Sequence, residues 1–67
     1  MNTELIGKRL LSLRGDKSQE QVANDLGLST SAIGMYERGE RVPKDEIKLQ
    51  IASYYGLTVQ EIFFDQE

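Results

Sequence analysis

The densest group of basic side chains lies between residues 38 and 44, where Arg38, Arg41 and Lys44 are interrupted by the single acidic residue Glu40. Guanidinium and ammonium groups at this spacing can bind anions such as phosphates. Taken alone, the cluster favours a solvated surface loop, because charged side chains are mostly exposed in folded proteins. A binding role therefore depends on the elements that position these residues.

The composition excludes most catalytic chemistry. The 67 residues contain 0 His and 0 Cys, so imidazole catalysis, thiolate chemistry, disulfides and most transition-metal sites are absent. The carboxylates that remain show no convincing pairing. We therefore predict a protein that is not an enzyme and that needs no metal or cofactor.

The net charge of -3 argues at first against a nucleic acid as partner. Three of the 11 acidic residues lie in the segment 58–67, so the remainder carries eight residues of each sign. Any contact with nucleic acid must then use a local basic patch. The sequence contains no signal-peptide pattern and no apolar run of membrane-spanning length, so we expect a cytoplasmic protein with no membrane contact.

Apolar spacing predicts five short helices in a single domain that spans residues 1–67. Ile6, Leu10 and Leu13 share one face of a first helix, which Asn2 or Thr3 can cap and Gly15 can end. No stretch alternates with a strand period. The predicted fold class is therefore all-α.

Two short helices follow, with a tight turn between them. Ser18 and Gln21 have the spacing of a capping box at the start of the second helix, and Gly27 ends it. Ser29 can cap a third helix that runs from residue 30 to about residue 38. Two amphipathic helices joined by a turn with Gly form a helix-turn-helix, here at about residues 18–38.

The last two helices are predicted at residues 44–55 and from about residue 58. Gly56 ends the fourth helix, and Thr58 and Glu61 form a second capping-box pattern. The residues predicted to form the core are Ile6, Leu10, Leu13, Val22, Ala23, Leu26, Leu28, Ile33, Ile47, Ile51, Leu57 and Ile62.

The order and spacing of these residues resemble the Cro/phage-repressor class of helix-turn-helix proteins, also called the Xre family. The resemblance covers roughly residues 4–64. The matching positions are Ile6, Gly7, Leu13, Arg14, residues 18–23, residues 26–29, Ile33, residues 36–39, Pro43 and residues 51–63. It implies a compact, five-helix, lambda-repressor-like fold and a sequence-specific DNA-binding regulator of transcription, most simply a repressor.

The resemblance places the third helix in the major groove of double-stranded DNA. The outward, base-facing positions are then Thr30, Ser31, Gly34 and Met35. Because this helix offers no Arg, Asn or Gln between residues 29 and 37, bidentate base contacts are absent and direct readout should be weak. At position 34 the family has a larger polar residue. The glycine found here would allow the α-helical backbone to approach DNA closely.

Five further residues are assigned to phosphate contacts by the same resemblance. Gln19 opens the second helix, where free backbone N–H groups favour an anion. The predicted phosphate-contacting residues are Gln19, Tyr36, Arg38, Arg41 and Lys44. The family also pairs Arg14 with Glu37, and this ion pair would tie the third helix to the first. The connection at residues 15–18 is two or three residues shorter than the family's usual one, which predicts a tighter turn.

Weak readout by one small domain predicts a homodimer on a palindromic operator. The fifth helix carries more apolar residues than can point inward, and we expect Val59, Phe63 and Phe64 at the dimer interface, with Phe64 as the exposed anchor. Two alternatives stay open. The chain is either a small Cro-like protein or the DNA-binding part of a larger repressor, and the same fold also suits a protein-interaction module such as an antitoxin-like partner.

Overall fold

The computed structural model describes residues 2–65 of the chain, and within them every regular element is helical. Four α-helices are followed by one turn of π-helix, which confirms the predicted all-α, five-helix fold. The elements are α1 Thr3–Arg14, α2 Gln19–Leu26, α3 Thr30–Glu37, α4 Asp45–Tyr55 and the C-terminal π-helix Gln60–Phe64. No helix in this part of the chain is long and apolar enough to cross a membrane.

Short polar side chains begin the first three helices, as the sequence predicts. The Asn2 side chain accepts a hydrogen bond from the Leu5 backbone N–H at 3.0 Å. Ser18 and Ser29 accept in the same way from the third residues of α2 and α3, each at 3.0 Å. Each bond satisfies a backbone donor that has no partner within its helix, which fixes where the helix begins.

The turn between α2 and α3 depends on Gly27. This residue adopts a φ of 71°, in the left-handed region that glycine tolerates best. The following backbone N–H, of Leu28, donates to the Ala23 carbonyl at 2.9 Å and closes the end of α2. The chain then re-enters a helix at Thr30. This tight reversal sets α3 against α2.

One apolar core lies between the helices. Its buried residues are Ile6, Leu10, Val22, Ala23, Ile33, Tyr36, Ile51, Ala52, Ile62 and Phe63. Four other predicted core residues, Leu13, Leu26, Leu28 and Ile47, are partly buried and pack against it. The prediction for Leu57 is wrong, because this side chain is 36% exposed. Leu57 follows the left-handed Gly56 in the connection to the π-helix, so the helical period of α4 does not extend to it.

The prediction of Phe63 at a dimer interface is also wrong. Phe63 is only 2% exposed and belongs to the core of its own chain, whereas Phe64 is 44% exposed. The Asp65 backbone N–H donates to the Gln60 carbonyl at 2.9 Å, a bond that spans five residues and widens this turn. Thr58 and Glu61 form the reciprocal hydrogen bonds of a capping box just before it.

The start of α1 packs directly on the end of α3. A β-carbon on Gly7 would lie 2.9 Å from the carbonyl carbon of Glu37 and 3.1 Å from the Gly39 nitrogen. Gly39 in turn has a φ of 73° and faces the Thr3 backbone. Two glycines therefore allow backbone to meet backbone, and this contact fixes the end of α3.

Candidate nucleic-acid interface

The outward face of α3 begins with two hydroxyl side chains. Thr30 and Ser31 are exposed in the first turn of the helix, and Met35 is partly exposed one turn later. Hydroxyl groups can both donate and accept, so this face can contact base edges or backbone oxygens without a fixed preference for one base. The structure thus leaves three of the four predicted base-facing residues accessible.

Gly34 is the exception, because it is the one predicted base-facing residue that is buried in the protein without DNA. This residue is buried, although its position in α3 is on the same side as Thr30 and Ser31. The Arg38 side chain lies across it: a β-carbon on Gly34 would be 2.9 Å from Arg38 Nη1 and 3.6 Å from Gln19 Oε1. The surface above Gly34 therefore belongs to Arg38 and Gln19.

Arg38 is held by Glu40. Its Nε donates to Glu40 Oε2 at 3.0 Å and its Nη2 donates to Glu40 Oε1 at 3.2 Å, which makes a bidentate pair. Hydrogen bonding to Glu40 raises the pKa of Arg38, and the same bond with Arg38 lowers the pKa of Glu40. Sequence reasoning named Glu40 only as an interruption of the basic cluster, although two residues flanking one glycine are close enough to pair.

Arg41 and Lys44 are exposed in the loop between α3 and α4. Neither forms an ion pair within residues 2–65, unlike Arg38. Lys44 directly precedes α4, and the buried Pro43 holds this stretch of loop against the protein. These two cations are therefore available to an anion outside the chain.

On the side of α3 that faces the protein, the Glu37 carboxylate accepts hydrogen bonds from two other elements. Arg14, at the end of α1, donates from Nε to Glu37 Oε2 at 2.7 Å and from Nη2 to Glu37 Oε1 at 3.2 Å. Gln19, at the start of α2, donates from Nε2 to Glu37 Oε1 at 2.9 Å. The Glu37 side chain is 6% exposed, so this predicted ion pair is present and largely buried. It joins α1, α2 and α3 through one carboxylate.

The short connection after α1 completes this arrangement. The third nitrogen of the Arg14 guanidinium, Nη1, donates to the Lys17 backbone carbonyl at 2.6 Å. The hydrogen bond with Glu37 is the main cause that raises the pKa of Arg14, so this side chain stays charged. Burial raises the pKa of the neighbouring Tyr55 to about 12, so its hydroxyl stays neutral beside the pair. The tight turn therefore supplies an acceptor that orients Arg14.

Tyr36 does not stand free at the surface. It is 7% exposed and its ring is part of the core, so the assignment of Tyr36 as a surface phosphate contact is not supported by its burial. The residue steps inward because it is three positions after the buried Ile33 on the same helix.

Lys17, in the connection between α1 and α2, belongs to a surface network. Its Nζ donates to the Tyr54 hydroxyl at 2.9 Å, and that hydroxyl donates to Asp25 Oδ2 at 2.5 Å. The bond from Tyr54 is the main cause that lowers the pKa of Asp25. This network connects the α1–α2 loop to α2 and α4. The Lys17 ammonium group therefore already has a hydrogen-bond partner within the protein.

The described residues contain no group of three or more His, Cys, Asp or Glu side chains that could hold a metal ion. What they do present is an exposed helix start with hydroxyl groups, a carboxylate behind it that fixes its position, and two unpaired cations beside it. This arrangement is that of a binding surface.

A family profile described as helix-turn-helix matches residues 8–62. The chain belongs to the helix-turn-helix family. The resemblance to the Cro/phage-repressor class is thereby confirmed. The turn at Gly27 lies between the two helices, α2 and α3, that form the motif.

Two curated relatives are similar to most of the chain. One is the cryptic phage CTXphi transcriptional repressor RstR of Vibrio cholerae, 36% identical over 88% of this chain and 53% of the relative. The other is the uncharacterized HTH-type transcriptional regulator YazB of Bacillus subtilis, 34% identical over 92% of this chain and 93% of the relative. The chain thus spans about half the length of the first relative and nearly all of the second.

One solved structure is similar to this chain in both sequence and fold. It is the restriction-modification controller protein C.AhdI from Aeromonas hydrophila, which superimposes with a TM-score of 0.79 at 35% identity. The match covers 91% of this chain and 96% of that protein. The fold and the helix order are therefore those of a known controller protein.

Proposed function

We propose that the chain is a sequence-specific, double-stranded DNA-binding regulator of transcription that acts as a repressor. The observation that carries this proposal is the presentation of α3. Its outward hydroxyl side chains are exposed, while Glu37 at its far end is fixed by Arg14 and Gln19. A helix held rigidly from behind and open in front suits insertion into the major groove.

The proposed contacts divide into two classes. Thr30, Ser31 and Met35 face bases. These side chains do not discriminate strongly between base pairs, so DNA shape and bridging water contribute to sequence specificity. Gln19, Arg38, Arg41 and Lys44 contact phosphates and set the register of α3 on the duplex. Its proposed place of action is the cytoplasm.

The proposed DNA-bound form is a homodimer on a palindromic operator. Of the three predicted interface residues, Val59 is partly buried against the core and Phe63 is fully buried. Phe64 supports the proposal, because it is 44% exposed at the end of the C-terminal π-helix. A second copy would cover this ring and bring a second α3 to the DNA.

The names of the relatives, a transcriptional repressor and a transcriptional regulator, do not favour the alternative of a protein-interaction module. The acidic segment 61–67 would suit such a module, but its residues 66–67 lie outside the described residues. The helix-turn-helix family is a family of binding proteins, so we propose no catalytic role.

The decisive test is selection of bound sites from random DNA, followed by affinity measurements on the selected duplex and on an unrelated duplex at several salt concentrations. Lys44→Ala should weaken binding to both duplexes equally and lower the salt slope by about one unit, since one phosphate contact is lost. Thr30→Ala should instead change the preferred sequence.

The function would be disproved if the wild-type protein enriched no sequence and its weak binding lacked salt dependence. The residue roles would be reversed if Lys44→Ala altered sequence preference while Thr30→Ala weakened binding to every duplex alike. Ser31→Ala serves as a second probe of the base-facing class, because its side chain is exposed in the same turn.

A further inference from the structure

Among the three cations proposed to contact phosphates, Arg38 is the one that forms an ion pair within the described residues. Both Glu40 oxygens accept from it, at 3.0 Å and 3.2 Å, although the two side chains are 58% and 55% exposed. Arg41 and Lys44 form no ion pair within residues 2–65. The positive charge of Arg38 is thus cancelled locally, whereas those of the other two cations are not.

Backbone hydrogen bonds fix the positions of the two residues that form this ion pair. Gly39, between the two residues, has a φ of 73°, and its N–H donates to the Tyr36 carbonyl at 3.1 Å. The Glu40 N–H donates to the Met35 carbonyl at 2.9 Å. Both residues therefore follow directly from the end of α3 in a closed turn, and their side chains start from fixed positions.

The Arg38 side chain packs against Gly34, which has no β-carbon. With two nitrogens bound to Glu40, the remaining nitrogen, Nη1, lies 2.9 Å from the point that a β-carbon on Gly34 would occupy. Gln19 Oε1 is 3.6 Å from the same point. The free edge of the guanidinium is thus directed at the cleft between α2 and α3, and any larger residue at position 34 would displace it.

We propose, on the basis of the DNA-binding function above, that Glu40 is a specificity-determining residue. It holds Arg38 across Gly34, so that Arg38 reaches a phosphate only when α3 is in register with its DNA site. On unrelated DNA, Glu40 neutralises the paired guanidinium, so the pair adds no net attraction to phosphates. Glu40 thereby weakens binding to unrelated DNA more than binding to the operator.

The test compares wild type with Glu40→Gln, which removes the charge and keeps the size of the side chain. Affinity is measured for the selected operator and for an unrelated duplex, each over a series of salt concentrations. For the unrelated duplex, the freed Arg38 should raise affinity about two- to fivefold, the worth of an exposed ion pair. The salt slope should steepen by about 0.9 for the extra phosphate neutralised. Operator affinity should change less, so the ratio of the two affinities falls.

Asp65→Asn is the charge-matched control. Asp65 follows the C-terminal π-helix, outside the residues assigned to the DNA interface, and Asn keeps the oxygen that accepts from Gln60. This variant should leave the affinity ratio unchanged. Gly34→Ala is a second probe of the same arrangement, because its methyl group displaces Arg38 while Glu40 is kept. It should also lower the ratio.

An equal rise in affinity for both duplexes with Glu40→Gln would show a bulk charge effect and overturn the proposal. No change, or a loss on both duplexes, would overturn it as well. If the wild type binds the operator with strong salt dependence, any of these results contradicts only the role of Glu40. A wild type that binds neither duplex contradicts the DNA-binding function, and this inference with it.

Discussion

Gly7 and Gly34 both lie inside helices and both contact another part of the chain, but what they contact differs. Gly7 faces the backbone of Glu37 and Gly39, which two helices and a turn hold in place. Gly34 faces the far end of the Arg38 side chain, which has several rotatable bonds. A methyl group would therefore meet an immovable surface at the first position and a movable one at the second.

We expect opposite effects on stability from alanine at these two positions. Gly34→Ala should raise the free energy of unfolding by about 0.5–1 kcal/mol, since Ala is the better helix former and Arg38 can move aside. Gly7→Ala should lower it by roughly 1–3 kcal/mol, because overpacking forces the backbones apart. Urea unfolding followed by circular dichroism measures both. A stabilised Gly7→Ala variant would contradict the close packing of α1 on α3.

Three residue-scale predictions from sequence differ from the structure, and only the one for Gly34 depends on a neighbour in space. Gly34 has the register of an outward position, but Arg38 folds back over it. Tyr36 carries a polar hydroxyl, but its ring fills the core. Leu57 is apolar and lies next to a helix, yet the chain reverses at Gly56 before it. The spacing of Tyr36 from Ile33 and the helix end at Gly56 are both signals in local sequence. Only the position of the Arg38 side chain over Gly34 has no such signal.

At the scale of elements, Glu37 is one of the residues that position α3. Its carboxylate accepts from Arg14 on α1 and from Gln19 on α2, so one side chain links three helices. Removing either charged partner leaves the other largely buried and alone, which can cost about 3–5 kcal/mol. The pair therefore acts on orientation as well as on stability.

A double-mutant cycle with Arg14→Gln and Glu37→Gln tests this link. Each single change should destabilise the protein, and the double change should cost less than the sum of the two, with a coupling of roughly 1–3 kcal/mol. Chemical denaturation of all four proteins gives the four free energies. Costs that add to within about 0.5 kcal/mol would show that the two side chains do not interact in solution.

The elements themselves were predictable because their signals are local. Ser18, Ser29 and Gly27 stand at the observed helix ends, and the Thr58–Glu61 capping box forms as its spacing predicts. The π-helical turn was not predictable. Its hydrogen bond from Asp65 to Gln60 spans five residues rather than four, and this wider turn places Phe63 inside and Phe64 outside.

At the scale of the whole molecule, size limits what one copy can read. The described chain measures 28 × 22 × 21 Å along its principal axes. One turn of B-DNA, which separates successive major-groove half-sites, is about 34–36 Å long. A single copy is shorter than this distance and can place its one α3 in one half-site only. Reading a palindrome therefore requires a second copy.

Phe64→Ser tests whether that second copy docks at the C-terminal π-helix. We expect the fold to be retained, since the ring is 44% exposed, and the dimer on a palindromic duplex to be lost. Light scattering of the free and DNA-bound protein gives the masses. Leu49→Ser is the matched control, because Leu49 is 63% exposed on α4. A variant that still binds as two copies with wild-type affinity would contradict an interface at Phe64.

The hydrogen bonds from Arg14 and Gln19 to Glu37 separate two parts of α3. The C-terminal part is bound to the rest of the protein, and the N-terminal part carries the residues proposed to contact bases. The hydrogen bonds to Glu37 lie at the C-terminal end of the helix, whereas the side chains of Thr30 and Ser31 are exposed at its start. Substitutions at such exposed positions usually change stability by less than about 0.5 kcal/mol. Substitutions at these two positions can therefore change the preferred operator sequence without loss of the fold. If the operator sequence changes during evolution, single substitutions that hardly affect stability can restore binding.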